Sequence, residues 1–269
     1  MTTTAEPAVL TRIDGDVAYV SLNRPDKLNG VTFDVLQGLL DAAADLRRRT
    51  DLRAIVLQGE GRSFCAGLDF ASVKGRGRIA QFFIAWPWRA TNRFQEAFWA
   101  WRTMPVPVIA VTRGHVFGAG IQLALAADFR FTTPDAKWSV LEAKWGLVPD
   151  MSGTVPLSEL LPADVAKRLV LTGEIVSGER AAAIGLATEA APDPMVPALE
   201  LVEALRERSP DSVAASKRLM NLVQRGGVRA AFRRERRYQL AMFRTRNHRI
   251  SRRAGASGEK PAFGPRTFG

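Results

Sequence analysis

Pro107-Val-Ile-Ala-Val-Thr-Arg-Gly-His-Val-Phe-Gly-Ala-Gly-Ile-Gln122 decides the fold. Val108 to Val111 is a short apolar run of the kind that forms a buried strand. Gly114, Gly118 and Gly120 crowd the turn after it, and the alanine-rich stretch Ile121–Ala127 opens a helix. Glycine lets the backbone take positive φ or pass close to another chain segment. A strand, a glycine turn and a helix N-terminus aim unpaired N–H groups at one point, where negative charge can be held. The same glycines equally serve tight packing of helix against strand, and the stretch alone leaves both readings open.

Upstream, Val9–Ile13 and Val17–Leu22 read as strands joined by Asp14-Gly15-Asp16, a hairpin signal. Thr32 caps a predicted helix over residues 33–49, with Val35, Leu36, Leu39, Leu40 and Leu46 at helical spacing. Ala54–Leu57 is a buried strand that runs into another glycine-bearing loop, residues 59–69, the first of the two in chain order. Strand, helix, strand implies a right-handed crossover. Residues 72–104 break this rhythm. Lys74, Arg76 and Arg78 alternate with glycines, and Phe82, Phe83, Trp86, Trp88, Phe94, Phe98, Trp99 and Trp101 follow. They suit either a helix pair filling the core or a greasy, movable wall for an apolar ligand tail.

Downstream, Asp128–Thr133 is a strand and Lys137–Glu142 is predicted to be extended. Helices are predicted over 156–161, 162–172, 179–186, 196–208, 211–224 and, as one long basic helix, 228–246. The Gly-, Arg- and Pro-rich tail from Ser251 is expected to be loose. Pro192, Pro194 and Pro197 mark a boundary between a core (residues 1–195) and a helical C-terminal region (196–269).

The 269 residues carry a formal charge of +11, which suits polyanionic partners: nucleic acid, an acidic membrane or a phosphate-rich ligand. Much of the excess sits in Arg229–Arg253, away from the glycine loops. A single cysteine, Cys65, excludes a disulfide framework and suggests a reducing, cytoplasmic setting. The first residues lack a basic, apolar leader, and no apolar run reaches membrane-spanning length. Two histidines, His115 and His248, offer no metal spacing, so no metal is expected.

Four ordered segments resemble the signatures of the crotonase (enoyl-CoA hydratase/isomerase) superfamily: Ser63-Phe-Cys-Ala-Gly-Leu-Asp69, Arg113-Gly-His-Val-Phe-Gly-Ala-Gly120, Ala126-Ala-Asp-Phe-Arg130 and Glu142-Ala-Lys-Trp-Gly146. The resemblance implies an α/β, crotonase (ClpP-like) fold of repeated β-β-α units in a spiral, ending in helices that trimerise. It implies an acyl-CoA substrate, carried as a coenzyme A thioester with no permanently bound cofactor, and self-association as a homotrimer or dimer of trimers. It assigns the oxyanion donors to the backbone N–H groups of Leu68 and Ala119. It assigns substrate contacts to Lys27, Leu28, Ala66, Leu68, Asp69 and Gln122, with Asp69 also able to orient its loop. Lys260 and Phe263 are candidates for closing a neighbour's CoA site.

The resemblance puts two glutamates in hydratases of this family. The second falls on Glu142, but the first falls on Gln122, and an amide takes up no proton at neutral pH. Asp150, eight residues after Glu142, supplies another carboxylate. That Glu-x7-Asp spacing resembles the dienoyl-CoA isomerase branch, whose further Asp is also replaced by Gln122. The resulting expectation is double-bond isomerisation by Glu142 and Asp150, with enoyl-CoA hydration by Glu142 as the alternative. Glu142 set among Trp138, Trp145 and Leu147 should have a raised pKa. A local role for it, paired with Lys144 or Arg130, is the rival. Cys65 reads as a buried filler and His115 as a satisfied side chain. From other classes, a non-catalytic acyl-CoA binder or an RNA binder remains open, although no RNA-binding signature accompanies the charge.

Overall fold

The Asp14-Gly15-Asp16 turn closes a hairpin of β1 (Val9–Asp14) and antiparallel β2 (Val17–Leu22), with Gly15 at φ +58°. The computed structural model of the chain describes residues 6–73, 76–84, 88, 90–223 and 227–269. Lys74, Trp86 and Gln224 lie outside the described residues, as do the side chains of Arg76 and Arg78.

Thr32 caps α1 (Phe33–Arg48) by accepting from the Val35 N–H, and this helix carries the chain across to β3 (Ala54–Gly59), parallel to β2. β4 (Val108–Thr112), β6 (Phe129–Thr132) and β9 (Glu189–Ala190) extend the sheet in parallel, in the order β1-β2-β3-β4-β6-β9. A smaller sheet pairs β5 (His115–Phe117) with parallel β7 (Lys137–Ser139), and β7 with antiparallel β8 (Val176–Ser177).

The central parallel strands β2, β3, β4 and β6 are buried on both faces, which explains their near-continuous apolar runs. Ile55, Leu57, Val108 and Ala110 face a core shared with α1, α3 (Arg93–Arg102) and α4 (Ala119–Ala126). Their alternates Ala54, Val56, Ile109 and Val111 face Ala198 and Val202 of α8 (Met195–Arg206). The helical stretch from residue 196 thus begins by covering the second face of the sheet. The aromatic segment forms α2 (Arg76–Phe83) and α3, and Phe82, Phe94, Phe98 and Trp101 are core residues. Phe82 packs 4.9 Å from Phe33 and 5.3 Å from Phe94, between ring centroids.

Helices α5 (Thr154–Leu160), α6 (Ala163–Thr172), α7 (Gly178–Ala183) and α9 (Pro210–Leu222) fall where periodicity puts them, within a few residues. Three expectations need correction. Glu142 is not extended. It lies in a 3-10 turn, Leu141–Trp145, which left-handed Gly146 terminates (φ +66°). The long basic helix is two helices, α10 (Gly227–Met242) and α11 (Arg246–Ser257), because the Thr245 hydroxyl caps a new start by accepting from the His248 N–H. The tail is not loose: α11 orders its first part, and the end folds back. Buried Asp211 accepts from the Thr267 and Phe268 N–H groups at 2.5 and 2.7 Å, and Phe268 packs edge-on against Tyr238. Phe263 lies under this chain's own Arg53.

Candidate active site

The two glycine loops are stitched together before they form a site. Asn29 spans the first loop, donating to the Glu60 and Ser63 carbonyls at 2.9 and 2.8 Å. The Cys65 N–H donates to the His115 carbonyl and the Phe117 N–H to the Cys65 carbonyl, at 2.9 and 3.0 Å. A Cβ at Gly120 would stand 2.5 Å from the Cys65 carbonyl oxygen, so only glycine allows this approach. Tight packing and an exposed pair of N–H groups are therefore the same construction. With Gly67 at φ +100° and Gly118 at φ +49°, the N–H groups of the next residues, Leu68 and Ala119, have no acceptor among the described residues. The Ala119 N–H is the first of helix α4 and carries the positive end of its dipole.

Glu142 enters beside them. A Cβ at Gly118 would lie 3.7 Å from Glu142 Oε1 and 3.8 Å from the Gly67 Cα. One cavity of about 120 Å³ is lined by Ala66, Leu68, Phe70, Ala119, Glu142 and Asp150, among others. Both carboxyls are pushed above the ordinary carboxylate range, each chiefly by burial; for Glu142 the nearby Asp150 charge adds to the rise.

Gln122 stands behind the cavity and is buried. Its Oε1 accepts from the Met151 and Gly153 N–H groups at 2.9 and 3.1 Å, which fixes the amide orientation. Its Nε2 therefore faces Glu142 and donates to Oε1 at 2.6 Å. Glu142 Oε2 is buried and has no partner among the described residues. An orphaned, buried carboxylate oxygen beside a cavity costs stability and so points to use. A Cβ at Gly153 would meet the Gln122 Cγ at 2.6 Å, so glycine there keeps the amide in place.

The local role for Glu142 does not form. Arg130 donates instead to the Leu186 and Ala127 carbonyls, at 2.9 and 2.8 Å, and the Glu142 partner is Gln122. The aromatic cage is also different from expectation. Trp138 is buried elsewhere, donating to the Thr132 hydroxyl, while Trp145 and Leu147 are exposed at the cavity mouth. Glu142 owes its raised pKa chiefly to burial, with the Asp150 charge adding to it.

Ala66 and Leu68 line the cavity, whereas Lys27, Leu28 and Asp69 lie off its wall. Lys27 is exposed at the end of a short turn, Pro25–Lys27. Leu28 is left-handed (φ +47°), and its carbonyl accepts from the Ala66 N–H at 2.9 Å. Asp69 fastens its loop: it bonds the Ser72 hydroxyl at 2.8 Å and pairs with Arg24 at 3.1 Å, contacts that hold its carboxyl below the usual range. Cys65 is buried, its thiol pushed up to about 12, and His115 Nδ1 sits 3.0 Å from the Ser63 hydroxyl. The sequence reading missed Phe70, Leu141, Met151 and Gly153. Phe70 had a signal, a large apolar residue directly after the first loop. No group of three metal-ligating side chains occurs among the described residues, and none of their helices is long and apolar enough to cross a membrane.

This architecture is a two-sided α/β spiral with a carboxylate facing two free backbone N–H groups. Residues 12–264 match the family described as enoyl-CoA hydratase/isomerase. The chain is 33% identical over 213 residues to a probable enoyl-CoA hydratase, EchA14, of Mycobacterium tuberculosis, covering 79% of this chain and 80% of that protein. It is 30% identical over 212 residues to the (E)-benzylidenesuccinyl-CoA hydratase of Thauera aromatica, covering 78% and 80%. Among solved structures, a putative enoyl-CoA hydratase from Thermobifida fusca in complex with CoA superposes with a TM-score of 0.79 at 30% identity, over 88% of this chain and 93% of that one. The chain belongs to the enoyl-CoA hydratase/isomerase family and has the crotonase fold.

Proposed function

We propose that the protein moves a double bond along an unsaturated acyl-CoA, using Glu142 and Asp150 as paired proton carriers. The observation that carries this reading is the Gln122 amide, held by two backbone donors and donating to Glu142 Oε1. A water gripped between two carboxylates has no second grip at position 122. The second carboxylate on the cavity is Asp150.

In this reading the Leu68 and Ala119 N–H groups hold the thioester oxygen. Glu142 Oε2 takes the proton from the carbon next to the thioester, and the electron pair moves onto that oxygen. Each such donor typically contributes about 3 kcal/mol to the barrier reduction. Protonated Asp150 then delivers a proton at the far end of the conjugated system as the electrons return, and solvent restores both groups. Raised pKa values suit this, since a group exchanging protons near neutrality works best with a pKa near the working pH. No resident cofactor is required. In this reading Lys27, exposed at the end of the Pro25–Lys27 turn, would meet a CoA phosphate, while Leu28 and Asp69 would serve by shaping the loop. The C-terminal region exposes Val228 and Phe232 of α10 and Phe243 just after it, which suits burial between copies in a trimer or a dimer of trimers.

A second reading, hydration of a 2-enoyl-CoA by Glu142 alone, is favoured by the names of the relatives. Mass-resolved assays with a 3,5-dienoyl-CoA and a 2-enoyl-CoA separate the two. The 2,4-isomer is the expected product. Brisk hydration without isomer would replace the first reading with the second.

A further inference from the structure

The mouth of the cavity is a patch of exposed apolar side chains from two separate segments. Phe70, just after the first glycine loop, packs against Trp145 of the Leu141–Trp145 turn with ring centroids 5.1 Å apart. Phe70 is 46% exposed and Trp145 62%, while Leu147 and Val148 beside them are 49% and 72% exposed. Phe70, Trp145 and Leu147 also line the cavity, so the patch continues its wall. The Leu147 N–H donates to the Glu142 carbonyl at 3.0 Å, which fixes the patch relative to the reacting carboxylate. Phe70 is held by the Asp69–Ser72–Arg24 bonds next to it.

The cavity itself is small. About 120 Å³ is less than the ~150 Å³ that holds one benzene ring in an apolar protein cavity. It has room for a thioester carbonyl and its first few carbons. Phe70, Trp145, Leu147 and Val148 offer exposed apolar surface at its mouth for any further carbons.

We infer that this rim binds the distal part of the acyl chain, so that the protein takes thioesters of medium-length or bulkier apolar acids in preference to four-carbon ones. The inference rests on the acyl-CoA reading of the site. Each methylene removed from water is worth roughly fourfold in affinity, and partial cover of six of them predicts at least a tenfold difference.

The test is calorimetric binding of two saturated, unreactive thioesters, butyryl-CoA and decanoyl-CoA, to the full chain. Decanoyl-CoA should bind at least about tenfold more tightly, and the double variant F70A/W145A should cut that ratio to about threefold or less. W145F, which keeps an aromatic face, should retain most of it. Both rings are exposed, so these variants should fold; unchanged circular dichroism checks this. Equal binding of the two thioesters, or an unchanged ratio in F70A/W145A, overturns the rim inference while leaving the acyl-CoA site standing. Failure of both thioesters and of free CoA to bind overturns the acyl-CoA reading and the inference with it.

Discussion

Gln122 Nε2 donates to Glu142 Oε1 at 2.6 Å, and the reverse orientation of that amide is blocked because its oxygen accepts from two backbone N–H groups. One glutamate oxygen is thereby occupied and the other, Oε2, is left buried and without a partner among the described residues. The pair defines which atom is free to exchange a proton.

Replacing Gln122 with Leu removes the donor to Glu142 and strands the Met151 and Gly153 N–H groups. Each of these two stranded buried donors costs about 1–3 kcal/mol, so Q122L should lose roughly 2–6 kcal/mol in chemical denaturation and most of its activity. Gln122→Glu should act differently. Its carboxylate can still accept from both N–H groups, and it restores a second acid–base group opposite Glu142. The ratio of hydration to isomerisation, measured on matched substrates, should rise.

Glu142→Gln should lower turnover by about 10²–10⁴, the usual contribution of a positioned acid–base group. It should also stabilise the fold at alkaline pH. Burial raises the Glu142 pKa in the folded protein, so folding favours its protonated form. The stability this group contributes is complete below its unfolded pKa and is lost as pH rises through the folded value. The E142Q melting temperature should therefore exceed wild type at pH 8, and the difference should vanish toward pH 4.

Asp150→Asn should abolish isomerisation while leaving acyl-CoA binding detectable. The Asp150 charge helps hold the Glu142 pKa up. Its removal should move the acid limb of any residual, Glu142-dependent activity to lower pH. A pH profile that does not move would separate the two carboxylates.

Gly153→Ala should behave as a Gln122 variant, since its Cβ would press on the Gln122 Cγ at 2.6 Å. The expected outcome is a loss of about 1–3 kcal/mol in stability from overpacking and a fall in kcat larger than the change in KM.

Much of this site was legible in the chain order. The glycines at 67, 118 and 120, the acid at 142, the amide at 122 and the acid at 150 are each tied to a local backbone demand or to a spacing. The sheet followed from apolar runs bounded by turns. What escaped depends on contacts distant in sequence. Phe70 and Trp145 meet across 75 residues, and no periodicity says that Trp145 is exposed while Trp138 is buried. β8 and β9, two residues each, are too short to carry a pattern. The ordered tail depends on Asp211, some 56 residues away from the N–H groups that it accepts. The residues of the Glu142 turn read as strand because the left-handed stop at Gly146 lies beyond them.

The most direct measurement is solvent deuterium entry at the carbon beside the thioester of a bound unsaturated acyl-CoA, followed by mass spectrometry in D2O. The account predicts exchange by the wild-type protein and at least about 100-fold slower exchange by E142Q, with thioester binding retained. Exchange by E142Q at the wild-type rate would contradict it.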